Sequence, residues 1–174
     1  MTTHTISGRA SSVVATGSKA LAWAGDPRLR PSTVLRGAPV TSAYLVALAA
    51  TTLTLAGTRE RLAHWMMADT STNLHNMTSQ PLRVLLLSAF WLDSAWLIWP
   101  MAALLLLVMA PAERWLGAPR TLLVFAIGHA GATVVTVSGI AAGVAAGWLP
   151  RALAHATDVG PSYGLAALGA VMLT

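Results

Sequence analysis

A chain of 174 residues, 55% of them hydrophobic and 10% charged, has too little polar surface for a soluble domain and too many long uncharged runs, so it reads as a membrane protein. It has no cysteine, which excludes a disulfide framework, a thiolate metal site and a cysteine nucleophile. The net charge of +5 comes from eleven Lys and Arg residues scattered along the chain and denser toward the N-terminus, the pattern of orienting loop charge rather than of a nucleic-acid surface.

Residues 1 to 37 form a basic tail rich in Ser, Thr and Ala, with Arg9, Lys19, Arg28, Arg30 and Arg36 against the single acid Asp26. The tail lacks the basic start, apolar run and small-residue cleavage site of a secretory signal, while Val13 to Ala24 is apolar enough for an interfacial helix. No charge falls between Arg36 and Arg59, and the stretch 38–57 is the first expected span. Five basic residues precede it and only Arg59 and Arg61 follow closely, which orients the N-terminus to the cytoplasm of a cell membrane.

A long outer loop is expected over 58–93. Within it His64 and His75 stand eleven residues apart with no acidic partner at ligand spacing, so no metal site is expected. From Pro81 to Trp91 the chain turns apolar around Arg83, and with Trp91, Trp96 and Trp99 close by it is expected to lie in the outer interface. The run after Asp93, which contains Leu104 to Leu107 and ends near Glu113, is the second span, about 94–112. After a short turn at 111–117 a third span follows, about 121–143; the second and third spans, so closely joined, must run antiparallel, which puts the turn on the cytoplasmic side. Gly139, Gly143 and Gly147 recur every four residues and are expected to let a neighbouring backbone approach. The run leaves the membrane at Trp148-Leu149-Pro150, a loop covers 151–158, and a fourth apolar segment occupies 160–174.

His129 stands inside the third span, where an ionisable residue is costly and points to a role. A hydrogen bond to Thr133 one turn on, or to a serine on a neighbouring span, is the preferred reading; partnership with Ser162 is the alternative. Asp158, four residues before Ser162, is expected to cap its loop rather than to act as a triad acid. Ser162 itself, at a helix start, is read in isolation as an N-cap.

Taken in order, Gln80-Pro81-Leu82-Arg83, Ser88-Ala89-Phe90, Trp96, Ala112-Glu113-Arg114-Trp115-Leu116-Gly117 with Arg120, and Gly160-Pro161-Ser162 resemble the landmarks of the rhomboid family of intramembrane serine proteases. The resemblance covers about residues 38 to 174. It implies an all-α fold, a polytopic helical membrane bundle that is rhomboid-like and incomplete at its C-terminal end. It also implies Ser162 as the nucleophile, with its own N–H donating to the oxyanion. Glu113, Arg114 and Gly117 would be scaffold residues of the inner turn, and Arg83 would anchor the outer loop. The partners implied are the lipid bilayer and transmembrane helices of client proteins. No cofactor is implied, because serine hydrolysis needs only water.

This chain departs from the family pattern at several positions. Leu82 replaces a tryptophan, and Tyr163 replaces the glycine after the serine, where its ring would crowd a contact between the fourth and sixth spans. Ile98 and Ala102 fall where a His-x-x-x-Asn oxyanion pair is expected. The family's base comes from a sixth span, which these 174 residues do not contain, so the chain is expected to be a fragment, or a truncated protein that depends on partners. Two functions follow: an intramembrane serine peptidase built on Ser162, or a catalytically inactive pseudoprotease that binds client helices.

Overall fold

The computed structural model describes residues 36–174. The expected interfacial helix at 13–24 and most of the basic tail lie outside those residues. Every regular element among the described residues is helical. Three helices are long and apolar enough to cross a bilayer: α1 (Pro39–Ala56), α5 (Ala95–Leu116) and α6 (Ala118–Ala145). Between α1 and α5 lie α2 (Glu60–Thr70), α3 (Leu74–Ser79) and α4 (Pro81–Ser88), and the last element is α7 (Ser162–Met172).

α1 begins with Pro39 in its first turn and has no side-chain cap of its own. Its free N–H groups are met from α5: Val40 and Thr41 donate to the Glu113 carboxylate at 2.8 and 2.7 Å, and the Thr41 hydroxyl adds a third bond at 2.8 Å. Glu113 is 3% exposed. Its negative charge sits at the positive end of the α1 dipole with its oxygens satisfied, which is what makes a buried carboxylate tolerable there. α5 then ends at Gly117, whose φ of 82° with ψ of 157° suits glycine and little else. Two spans are thereby folded back on each other across one residue.

α5 is not uniform. It opens with a 3-10 turn (Ala95–Leu97) and widens into a π turn at Leu105–Met109. Pro111 follows two residues after it. It has no N–H for the Leu107 carbonyl, and its ring crowds that turn, so the wider turn relieves the clash.

The segment 58–93, expected as a long outer loop, is largely helical. Asn73 caps α3 by accepting from the Asn76 N–H at 2.9 Å, and Pro81 occupies the first turn of α4, where its missing N–H costs nothing. Arg83 ties α4 back through an ion pair with Asp69 and a hydrogen bond to Gln80.

The end of α4 is packed against α6. Ser88, at its C-terminal end, is fully buried against His129, which lies roughly 16 Å along the ~42 Å of α6. The helix therefore ends deep beside a span. Its polar exit is satisfied there by α1, whose Tyr44 and Thr51 hydroxyls donate to the carbonyls of Ala89 and Phe90, both at 2.5 Å.

The core runs through the same region. Tyr44, Leu48, Leu105, Met109, Phe125 and Leu168 join one buried cluster, with the Phe125 ring edge-on to Tyr44 at 5.3 Å between centroids.

The expected glycine face does not form a helix contact. Gly139 faces open space, Gly143 lies under the side chain of Leu149 from the following turn, and Gly147, at φ 75°, reverses the chain after α6. The close approach occurs elsewhere, between α6 and α7. A Cβ added at Gly128 would collide with that of Ala167, and one added at Gly164 would lie 2.5 Å from the Phe125 ring. A four-residue period identifies a helix face, but whether a partner meets that face depends on the fold, and α6 ends at Ala145, before Gly147.

Candidate functional site

Ser162 is the first residue of α7, after Gly160 and Pro161. Gly160 takes φ 123°, a left-handed conformation that disfavours a side chain. Its N–H donates to the carbonyl of Ser88 at 2.8 Å. One step upstream, Asp158 is clamped to the α2–α3 connection. Its N–H donates to the Ser71 hydroxyl at 2.7 Å, its carbonyl accepts from the Thr72 N–H at 3.0 Å, and the Thr72 hydroxyl lies 3.2 Å from its carboxylate. Ser71 is 0% exposed and Thr72 2%, so these bonds are shielded from water. Asp158 thus holds the loop, the role expected for it. The clamp was not foreseen from the other side: the hydroxyl run 70–72 was its signal, but nothing in the order of residues paired it with a loop 86 residues away.

The segment that presents Ser162 is therefore braced twice, by Ser71 and Thr72 on Asp158 and by Ser88 on Gly160. Ser162 itself is exposed and its side chain makes no hydrogen bond to any described residue. The first bond of α7 runs from the Leu165 N–H to the Pro161 carbonyl at 3.0 Å. The N–H groups of Ser162, Tyr163 and Gly164 consequently have no acceptor within the helix, and Ser162 stands beside free donors.

His129 does not meet Ser162. Its Nε2 lies 3.1 Å from the Ser88 hydroxyl; the partner is a serine, as expected, but it stands on α4 and not on a neighbouring span. Thr133, the other suggested partner, closes no hydrogen bond, and neither does Nδ1 of His129. Among the described residues the imidazole is the hydrogen-bond partner of the Ser88 hydroxyl. The hydroxyl and Nε2 are partners at 3.1 Å, and the tautomer of the ring sets which of them donates.

Tyr163 turns toward α6. Its ring centre is 6.3 Å from that of His129, and its hydroxyl accepts from Thr136 at 3.4 Å. The ring is thus accommodated against the third span. Ile98 and Ala102 lie in the first turns of α5, with Ile98 packed on the hydrophobic core. Neither carries a side-chain donor.

A family model for rhomboid-like proteins matches residues 33–174, the whole of the described bundle. The chain belongs to the rhomboid-like family. Comparison with curated proteins and with solved structures returns no match. Within that rhomboid-like frame, Glu113 and Gly117 build the turn between the second and third spans, and Arg83 fastens the first connection. Among the described residues no group of three or more His, Asp or Glu side chains is placed to hold a metal ion.

Proposed function

We propose that this rhomboid-like membrane protein carries an intramembrane serine peptidase site, with Ser162 attacking a carbonyl in the transmembrane segment of a client protein. The observation that carries the reading is the presentation of Ser162: exposed, unpaired, at the start of α7 beside free N–H groups, on a doubly braced loop. In the first step a Ser162 Oγ–carbon bond forms, the serine proton passes to a base, and the carbonyl oxygen becomes an oxyanion facing the Ser162 N–H. Collapse breaks the peptide C–N bond, the amine leaves with the proton from the base, and water then hydrolyses the ester. No imidazole among the described residues meets Ser162, so the base comes from outside residues 36–174. The setting we assign is the cell membrane, with a cytoplasmic N-terminus.

The second reading is a pseudoprotease that binds client helices without cutting them. It is favoured by two observations: His129 is engaged with Ser88, and Ile98 and Ala102 supply no oxyanion donor. Losing one such donor typically costs about 10²–10³ in rate.

One experiment separates the two. The protein at its natural length, with the segment that supplies the base, is reconstituted, treated with a fluorophosphonate and incubated with a reporter carrying a cleavable transmembrane segment. A peptidase is expected to be labelled at Ser162 and to lose both labelling and cleavage in Ser162→Ala. Absence of labelling, with crosslinking to the reporter helix unchanged by Ser162→Ala, overturns the peptidase reading in favour of binding.

A further inference from the structure

Beneath α4 lies a cavity of about 460 Å³, enclosed by α1, α4 and α6. Its wall is formed mainly by Tyr44, Leu85, Ala89, Phe125 and Ala126, with His129 at one end. The two polar side chains in that wall are already engaged, the Tyr44 hydroxyl with the Ala89 carbonyl and Nε2 of His129 with Ser88. The remaining ring atom, Nδ1, is buried. An ordered water needs two to four polar partners, which this wall does not supply.

The cavity's rim faces outward. Leu82 is 77% exposed, Leu86 69% and Leu122 45%, and Leu122 belongs to a membrane-crossing helix. The surface is therefore continuous with the bilayer-facing side of the bundle, and the fluid at the opening is hydrocarbon. An empty space would forfeit dispersion contacts along all three helices. Along α6 the lining from Leu122 to Ala130 extends about 12 Å. Spread over that length, 460 Å³ leaves a cross-section of roughly 40 Å², less than a helix about 10 Å across with its side chains requires and suited to a single extended chain.

We infer that an acyl chain of a bilayer lipid occupies this cavity and forms the floor on which α4 rests. Leu82, Leu85 and Leu86 of α4 lie over it, and Ser88 at the end of the same helix holds the Gly160 N–H. The lipid chain thus supports the brace behind Ser162. This site does not depend on whether Ser162 performs chemistry.

The test uses the full chain in phosphatidylcholine vesicles containing a phosphatidylcholine with a diazirine in its acyl chain. After irradiation, crosslinks are mapped by mass spectrometry. Peptides covering 82–89 and 122–130 are expected to be labelled, as are the outward-facing positions Val46 and Leu53 of α1, which are 69% and 71% exposed. Ala126→Trp, which fills the cavity from α6, is expected to lower labelling of the cavity peptides several-fold and to leave Val46 and Leu53 unchanged. Leu122→Trp, which narrows the rim, repeats the comparison should the first variant misfold, as judged by its melting temperature. Cavity peptides unlabelled in the parent, or labelled as fully in a folded tryptophan variant as in the parent, would overturn the inference.

Discussion

Ser88 joins three parts of the molecule through two atoms. Its hydroxyl meets His129 of α6, and its carbonyl accepts from the Gly160 N–H before α7, while the residue itself ends α4. Because the pair is buried, its worth shows in the asymmetry between removing one partner and removing both. Ser88→Ala leaves Nε2 of His129 unmet and is expected to destabilise the protein by about 1–3 kcal/mol. His129→Leu removes the imidazole but leaves the serine hydroxyl orphaned, at a similar cost. The double variant orphans neither group, so it should be less destabilised than the sum of the single variants by ~1 kcal/mol or more. Unfolding in a mixed-micelle denaturant series measures all four corners of the cycle. Additive single effects would mean that the 3.1 Å approach carries no energetic coupling.

At the scale of elements, α6 and α7 are held by an exchange of volume, with glycine on one helix facing alanine on the other. Gly128 stands against Ala167, and Gly164 stands under the Phe125 ring. An added methyl group at Gly128 has nowhere to go, because the facing atom is a Cβ anchored to the backbone and cannot swing away. Gly128→Ala is expected to cost about 1–3 kcal/mol through overpacking. Ala167→Gly in the same chain moves the methyl group from one helix to the other and should restore most of that loss, minus a helix-propensity cost of about 1 kcal/mol. Thermal unfolding of the two single variants and the double variant decides this, and failure of Ala167→Gly to rescue would place the close contact elsewhere. The sequence pointed instead to Gly139, Gly143 and Gly147, because a repeat of four is visible in one dimension. The contact that forms uses one glycine from each of two helices, and such a pairing has no period to read. The same limit applies to Glu113. The Glu113–Gly117 turn is legible from local order, but the service of Glu113 as the N-terminal cap of α1 depends on a contact 72 residues away.

For the whole molecule, the three crossings were legible because nothing except a span tolerates such long uncharged runs, and their ends fall within a few residues of the charges that bound them. The helical character of 58–93 was not. Its polarity is mixed, α3 and α4 have only 6 and 8 residues, and their stability comes from Asp158, α6 and the hydroxyls of α1 rather than from local pattern. The position of Ser162 at a helix start was legible; the identity of the imidazole's partner required the fold. The sidedness we propose rests on the same charges and can be tested directly, because the chain has no native cysteine and any introduced thiol is unique. With α1, α5 and α6 crossing and the connection at Gly117 only one residue long, single cysteines at Trp115 or Ala118 must lie on the side opposite to cysteines at Arg61 and His155. In intact cells a membrane-impermeant maleimide is expected to label the variants at Arg61 and His155 and to spare the one at Trp115 until the membrane is permeabilised. Labelling of the Trp115 variant alone would invert the topology and place the Ser162 mouth on the cytoplasmic face. Labelling of all three in intact cells would mean that one of these apolar helices does not cross.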